Sequence, residues 1–216
     1  GTCAPAGELD IKVIRAEEKD KVHFAPLSWK LSNWLRWGFI KGWIAKHFVV
    51  PLANAWGVMC AIGELHIMVI KADGRKIDYG VVSYRVVTDA GVAYIVDDFD
   101  NASGSADVSL FNFHGIGTTN TAENATDTAL AAESTTNLNP DSTRATGTRS
   151  QPAANQFRSV GLLTADGTIA AVEHGLFTTS GTGTGTLLDR SVFSTVTLGS
   201  GDSIQTTYTI TFSAGS

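Results

Sequence analysis

Three places in this chain carry residue types that could do chemistry. Asp97, Asp98 and Asp100 stand close enough to suggest a calcium loop. Such a loop also needs glycine at its sixth position and glutamate at its twelfth, and counting from Asp98 those places hold Ser103 and Ser109. The acidic run therefore reads as a solvated helix end. Glu173 and His174, with His114 as a companion, have the types of an acid–base site. Successive side chains of a strand point to opposite faces, so Glu173 and His174 diverge, and a satisfied core or turn histidine is the simpler reading. The tract Gly181-Thr182-Gly183-Thr184-Gly185 has the glycine content of a phosphate loop but lacks the Lys-Ser/Thr ending that reaches phosphate and metal. It reads as a flexible hairpin loop. His23, His47 and His66 show no zinc-type spacing with one another or with Cys3 and Cys60, and no G-x-S-x-G elbow occurs. These patterns lead us to expect no catalytic residue, no metal and no cofactor; a glycan-cleaving carboxylate pair is a class that spacing alone does not single out.

The stronger signal is for binding. All five tryptophans, Trp29, Trp34, Trp37, Trp43 and Trp56, lie between Leu27 and Ala61. Between Asp20 and Glu64 there is no acidic residue, while Lys21, Lys30, Arg36, Lys41 and Lys46 are present. Leu31, Trp34 and Leu35, then Trp37, Ile40, Ile44 and Phe48, recur at helical spacing. This predicts a helix from about Ser28 to His47, with Ser28 as N-cap and Pro51 beyond the end. Gly38 and Gly42 inside it each cost about 1 kcal/mol relative to Ala. The segment has three uses open to it: packing on its own chain, docking on a partner subunit through tryptophan anchors, or lying on a membrane surface. The first two stand ahead of the third. Charges interrupt every window of about 20 residues, so a transmembrane span is disfavoured. If the segment docks, the partner-binding residues are Trp29, Trp34, Trp37 and Trp43, with Lys30, Arg36 and Lys41 as the cations.

The elements that must position these residues differ between the two halves. A chain of 216 residues with 43% hydrophobic content can bury a core. Residues 1–96 hold 12 Lys and Arg against 9 Asp and Glu, whereas residues 97–216 hold 4 against 12. The acidic half argues against nucleic acid as a partner there, and the asymmetry would let neighbouring subunits dock basic end to acidic end. The chain opens Gly1-Thr2-Cys3-Ala4-Pro5, without the basic and apolar regions of a secretory signal. Cys60 sits in an apolar run and reads as a buried free thiol, with a Cys3–Cys60 bridge as the minority alternative.

Strands are expected at about 8–15, 65–71, 77–87, 108–115, 144–150, 156–164, 169–178, 187–198 and 203–212. In the last, Ile204, Thr206, Tyr208, Ile210 and Phe212 alternate with Gln205, Thr207, Thr209 and Thr211. Ala72-Asp73-Gly74-Arg75 supplies a hairpin turn. A helix capped by Thr88 or Asp89 should carry Val92, Ile95, Val96 and Phe99 as an i, i+3, i+4, i+7 stripe, and a short helical patch is expected near 127–133. The fold class is mainly β: an antiparallel β-sandwich over residues 101–216, preceded by an N-terminal α+β region over 1–100 that contains the Trp-rich helix.

The run Glu173-His174-Gly175-Leu176-Phe177, with Gly185-Thr186-Leu187-Leu188-Asp189-Arg190-Ser191-Val192-Phe193 and Ser200-Gly201-Asp202-Ser203-Ile204-Gln205-Thr206-Thr207-Tyr208, resembles a pattern of structural proteins of tailed bacteriophages. Phe113-His114-Gly115-Ile116-Gly117, the stretches 127–130 and 144–147, and Arg85 to Val92 fit the same pattern, so the resemblance covers roughly residues 8–216. It implies a non-enzymatic virion component present in many symmetric copies, with a homo-oligomer and other virion proteins, major capsid or tail, as partners. A decoration or cement protein that binds and stabilises the head shell is the first expectation; a tail, collar or fibre protein with a host-binding β domain is the second.

Overall fold

The computed structural model describes residues 21–215 except 86 and 101–105. The strand expected at 8–15 and Cys3 lie outside these residues. The chain runs through β1 (Val22–Phe24), helices α1 (Leu27–Trp34) and α2 (Trp37–Ile44), a π-helical turn (Ala45–Val49) and α3 (Val50–Ala55). The hairpin β2 (Cys60–Ile70) and β3 (Lys76–Arg85) leads into α4 (Asp89–Asp100). After a 3-10 turn (Val108–Leu110) come β4 (Phe113–Gly117), the short strands β5 (Leu138–Asn139), β6 (Ala145–Thr146) and β7 (Thr148–Ser150), then β8 (Gln156–Ala165), β9 (Ile169–Phe177), β10 (Leu187–Leu198) and β11 (Ser203–Ser213).

Among the described residues the strands form two sheets, one in the order β1-β3-β2-β11-β8-β5 with β7 also on β8, the other β10-β9-β4-β6. All pairings are antiparallel except β1 on β3. The sheets face each other across one apolar layer. Leu65, Ile67, Val69, Leu163 and Ile204 enter it from the first sheet, and Ile116, Ala171, Phe193, Val196 and Leu198 from the second. This is the mainly β sandwich that period-two patterning demands when each sheet has one apolar face. β11 lies between β2 and β8, so strands from either side of the boundary expected at residue 100 share one sheet and one core. Asp202 reinforces the join, accepting from the Ala72 amide at 3.0 Å, from the Gly199 amide at 2.8 Å and from Lys71 at 2.7 Å. Burial works against its charge, but the Gly199, Lys71 and Ala72 bonds prevail and hold its carboxyl below the usual range.

Several expectations need correction. The helix expected over 28–47 is interrupted, not at its glycines but at Arg36, which is extended between α1 and α2. Pro26 rather than Ser28 stands at the N-cap, and no side chain caps the helix. Pro51 lies inside the helical segment, in the first turn of α3. The residues before it keep helical dihedrals, so Pro51 sits inside a continuous helical run, and the wide π turn carries the chain past its ring. The strand expected from residue 108 begins only at Phe113, because Asp107 accepts from the Ser109 amide at 2.8 Å and closes a turn. The helical patch at 127–133 is irregular; its Ala131 and Ala132 amides bond to the Glu173 carboxylate instead of to helical carbonyls. Cys60 is half-buried rather than buried.

α4 forms where expected, with the Thr88 hydroxyl accepting from the Gly91 amide at 3.0 Å, and its apolar stripe is divided between core and solvent. Gly91, Tyr94 and Ile95 face the protein, while Val92, Val96 and Phe99 are exposed. Gly91 sets this: a Cβ there would lie 2.8 Å from the Leu188 carbonyl oxygen, so the helix makes its closest approach at the one residue without a side chain.

The open edge of β10 is sealed by side chains and, at one end, by the backbone of Val87 and Thr88, Val87 forming an isolated antiparallel bridge with Asp189. The Trp29 indole donates to the Thr195 carbonyl at 2.8 Å, Arg36 donates to the Phe193 carbonyl at 3.4 Å, and the Thr88 amide donates to the Leu188 carbonyl at 2.9 Å. Buried Asn33 joins the two sheets: its amide donates to the Val82 carbonyl of β3 at 2.8 Å and its oxygen accepts from the Ser194 amide of β10 at 2.9 Å. Such cover removes a template for unwanted strand pairing. Asn33→Ala leaves both backbone groups unpaired and should destabilise the fold by about 2–4 kcal/mol in urea denaturation.

Candidate functional site

The chemistry-bearing histidines meet inside the sandwich. His114 on β4 and His174 on β9 are diagonal neighbours on the inner face of their sheet, both fully buried, with His114 Nδ1 3.0 Å from His174 Nε2. His114 Nε2 lies 2.8 Å from Ser159 Oγ of β8, and Thr206 Oγ1 of β11 lies 3.0 Å from His114 Nδ1. A Cβ at Gly161 would be 2.5 Å from the His114 ring, so that glycine makes the room. Distances alone would allow a nucleophile, a base and an orienting group. The protons run the other way. Ser159 donates to Asn112 Oδ1 at 2.8 Å, so it accepts from His114 Nε2–H, and the single lone pair of His114 Nδ1 is left to accept from His174 Nε2–H, with the Thr206 hydroxyl between it and the Gly161 carbonyl. Burial pushes His114 down to about 3, and burial followed by the neighbouring His114 holds His174 well below its ordinary value. With Ser159 and both imidazoles sealed from solvent, this set cannot receive a substrate or take a proton from serine. It is a neutral polar network that fixes how the sheets register.

Glu173 faces a different environment, as alternation along β9 requires. It is fully buried; its Oε2 accepts from Arg190 at 2.8 Å and from the Ala131 amide at 3.1 Å, while Oε1 accepts from the Ala132 amide at 2.8 Å. Arg190 also donates to Asp127 at 2.9 Å and to the Thr121 carbonyl at 3.1 Å. Burial disfavours the Arg190 charge, but the bonds and charges of Asp127 and Glu173 outweigh it and raise its pKa. The pair thus pins the long irregular segment 118–135 to β9 and β10. A second clamp does the same for the glycine tract. Arg144 pairs with Glu133 through two bonds of 2.6 and 2.9 Å, donates to the Thr179 and Thr184 carbonyls, and stacks 3.4 Å from the centre of the Phe177 ring. Glu133 in turn accepts from the Gly183 amide at 3.0 Å. The tract read as a flexible hairpin loop is therefore anchored by charge. Among the described residues no group of three or more His, Cys, Asp or Glu is placed to hold a metal ion.

One accessible feature is the outer face of the helices. Leu27, Leu31, Trp34 and Leu35 form an exposed stripe at i, i+4, i+7 and i+8 along α1. Trp34 is 53% exposed and Trp37 68%, and Phe48, Leu52 and Trp56 extend the apolar surface through α3. Trp43 stacks on His47 with ring centres 4.6 Å apart and is at the edge of exposure. Lys41 lies over the Trp37 ring at 6.0 Å, so one expected cation borders an expected anchor, while Lys30 lies over the Phe24 ring at 4.9 Å. Trp29 and Arg36 are different. Trp29 packs edge-on against Tyr79 at 4.7 Å, and both residues bond the β10 edge. They hold the helices to the sandwich and are not presented to a partner. Sequence spacing placed the tryptophans together; it did not single out Asn33, whose role comes only from two strands distant in sequence. Among the described residues no helix is long and apolar enough to cross a membrane.

Comparison of the chain with protein-family models, with curated proteins and with solved structures gives no match.

Proposed function

We propose that this chain is a non-enzymatic structural protein of a tailed-bacteriophage virion, a decoration or cement subunit that stabilises the head shell and is held there by its Trp-rich helical face. The observation carrying this reading is the exposure of Leu27, Leu31, Trp34, Leu35 and Trp37 on two consecutive helices, with Lys30 beside Leu31 in the chain and Lys41 over the Trp37 ring. A large apolar patch rimmed by charge marks an interaction surface rather than ordinary exposure, and tryptophans in such a patch are the usual energetic anchors. The sandwich behind it is rigid, cross-clamped by Asn33, Arg144 and Arg190, which suits a part that carries load rather than one that closes on a substrate.

Replacing Trp34 and Trp37 together by alanine should remove the protein from purified particles while leaving its far-ultraviolet circular dichroism and urea midpoint nearly unchanged, since neither side chain supports the core. Each truncated anchor weakens docking by about 2 kcal/mol or more, so incorporation should fall at least tenfold. Full retention of the double variant in particles would overturn the reading. A count of copies per particle separates head from tail: hundreds fit a shell, about a dozen or fewer a tail.

A further inference from the structure

We infer that the partner of the helical face is a second copy of this chain, which docks the exposed stripe of its α4 on the α1–α2 surface. This rests on the reading of that surface as a docking face and supplies its occupant. α4 presents Val92, Val96 and Phe99 to solvent at i, i+4 and i+7, Phe99 being 86% exposed. Its inward side already packs on Leu188 and Phe111, so the outer stripe is a second apolar face distinct from the one that serves the core. The helix carries Asp89, Asp97, Asp98 and Asp100 and no cation. The surface formed by α1 and α2 is its complement, with Leu27, Leu31, Trp34 and Leu35 as the apolar stripe, Lys30 and Lys41 beside it, and no acid in its own segment between Asp20 and Glu64; one carboxylate from elsewhere, Glu123, rests against α2 at Gly38.

The two stripes match in length as well as in sign. Val92 to Phe99 spans about 10 Å and Leu27 to Leu35 about 12 Å at the rise of an α-helix, so one helix can lie along the other with side chains interdigitated. Opposite charges at the margins fix which helix meets which. Two α4 stripes facing each other would bring acids together, and two α1 stripes would bring cations together, so the pairing is between unlike faces. Each copy therefore offers one face of each kind, and copies can lock one another into a closed set on a particle.

The test is the mass of the purified full chain by analytical ultracentrifugation. Wild type should sediment as an oligomer. Phe99→Asp, Lys30→Glu with Lys41→Glu, and Asp97→Lys with Asp100→Lys should each give monomers with unchanged circular dichroism. A chain carrying all four charge changes, in which both faces are inverted, should recover the oligomer. A monomeric wild type, charge variants of unchanged mass, or a four-change chain that stays monomeric would each overturn the self-contact. If the α4 variants keep their mass while Trp34→Ala with Trp37→Ala still leaves the particle, the self-contact fails and the docking reading stands.

Discussion

Between pH 7 and pH 5 this protein should lose about 2 kcal/mol of stability through His114 alone. The ring is fully buried, and burial lowers its pKa from 6.5 to about 3 in the folded state. The unfolded chain therefore binds a proton near pH 6.5 that the folded chain refuses until about pH 3. Stability is full above pH 6.5 and falls across that window as the pH drops, because the unfolded state holds more protons throughout it. Each such histidine contributes a slope of about 1.4 kcal/mol per pH unit. His174, held low by burial and by His114, acts in the same direction. Urea midpoints measured between pH 7 and pH 5 check this above the range where carboxylates titrate. His114→Gln should flatten the profile by one proton, whatever it does to stability at pH 7, because glutamine can bond Ser159 and Thr206 without titrating. A wild-type profile flat over that range would show that the pair titrates as it does in water, and the sealed network would be wrong.

Removing the charge of Glu173 should cost the fold about 3–5 kcal/mol, the usual result of stripping one partner from a buried ion pair. Glu173→Gln leaves Arg190 inside the protein with Asp127 as its remaining carboxylate, and its single carboxamide oxygen replaces only one of the two acceptors, so its NH2 group faces either the Ala132 amide or the Ala131 amide and Arg190. The loss should be local before it is global. Backbone amides of 118–135 should exchange faster with solvent and that segment should be cut first in limited proteolysis, while β2 and β11 keep their protection. Replacing Arg190 by methionine in the Glu173→Gln background should restore part of the loss, since an apolar side chain no longer strands a charge. Additive effects of the two changes would mean that they do not form one unit.

The sandwich was legible because its code is local. Ile204, Thr206, Tyr208 and Ile210 alternate with polar residues over one strand, and Asp73-Gly74 marks the hairpin between two apolar runs. The sheet order was not legible, because β11 pairs with β2 across more than a hundred residues of chain and no local pattern records that choice. The helical stripes were half legible. Spacing found Val92, Ile95, Val96 and Phe99, but which side faces inward is decided by Gly91 against Leu188, a contact between distant segments. The same holds for the tryptophans: Trp29 and Trp34 share a helix and a residue type, yet one bonds Thr195 of its own sheet and the other faces solvent. His114 and His174 were visible as candidates, but their bond and their burial depend on how β4 and β9 register. Asn33 carried no signal at all, since an asparagine on an exposed-looking helix gives no hint of the two strands it joins.

The account stands or falls on whether the tryptophan face is covered in the assembled particle. Hydroxyl-radical footprinting read by mass spectrometry reports this residue by residue, comparing the free Phe99→Asp chain, in which the self-contact is broken, with the wild-type chain in purified particles. Trp34 and Trp37 should be oxidised readily when free and protected several-fold when assembled, with Trp29 changing little because it is half-buried in both. Equal oxidation of Trp34 and Trp37 in the two samples would contradict the claim that this face holds the subunit in place.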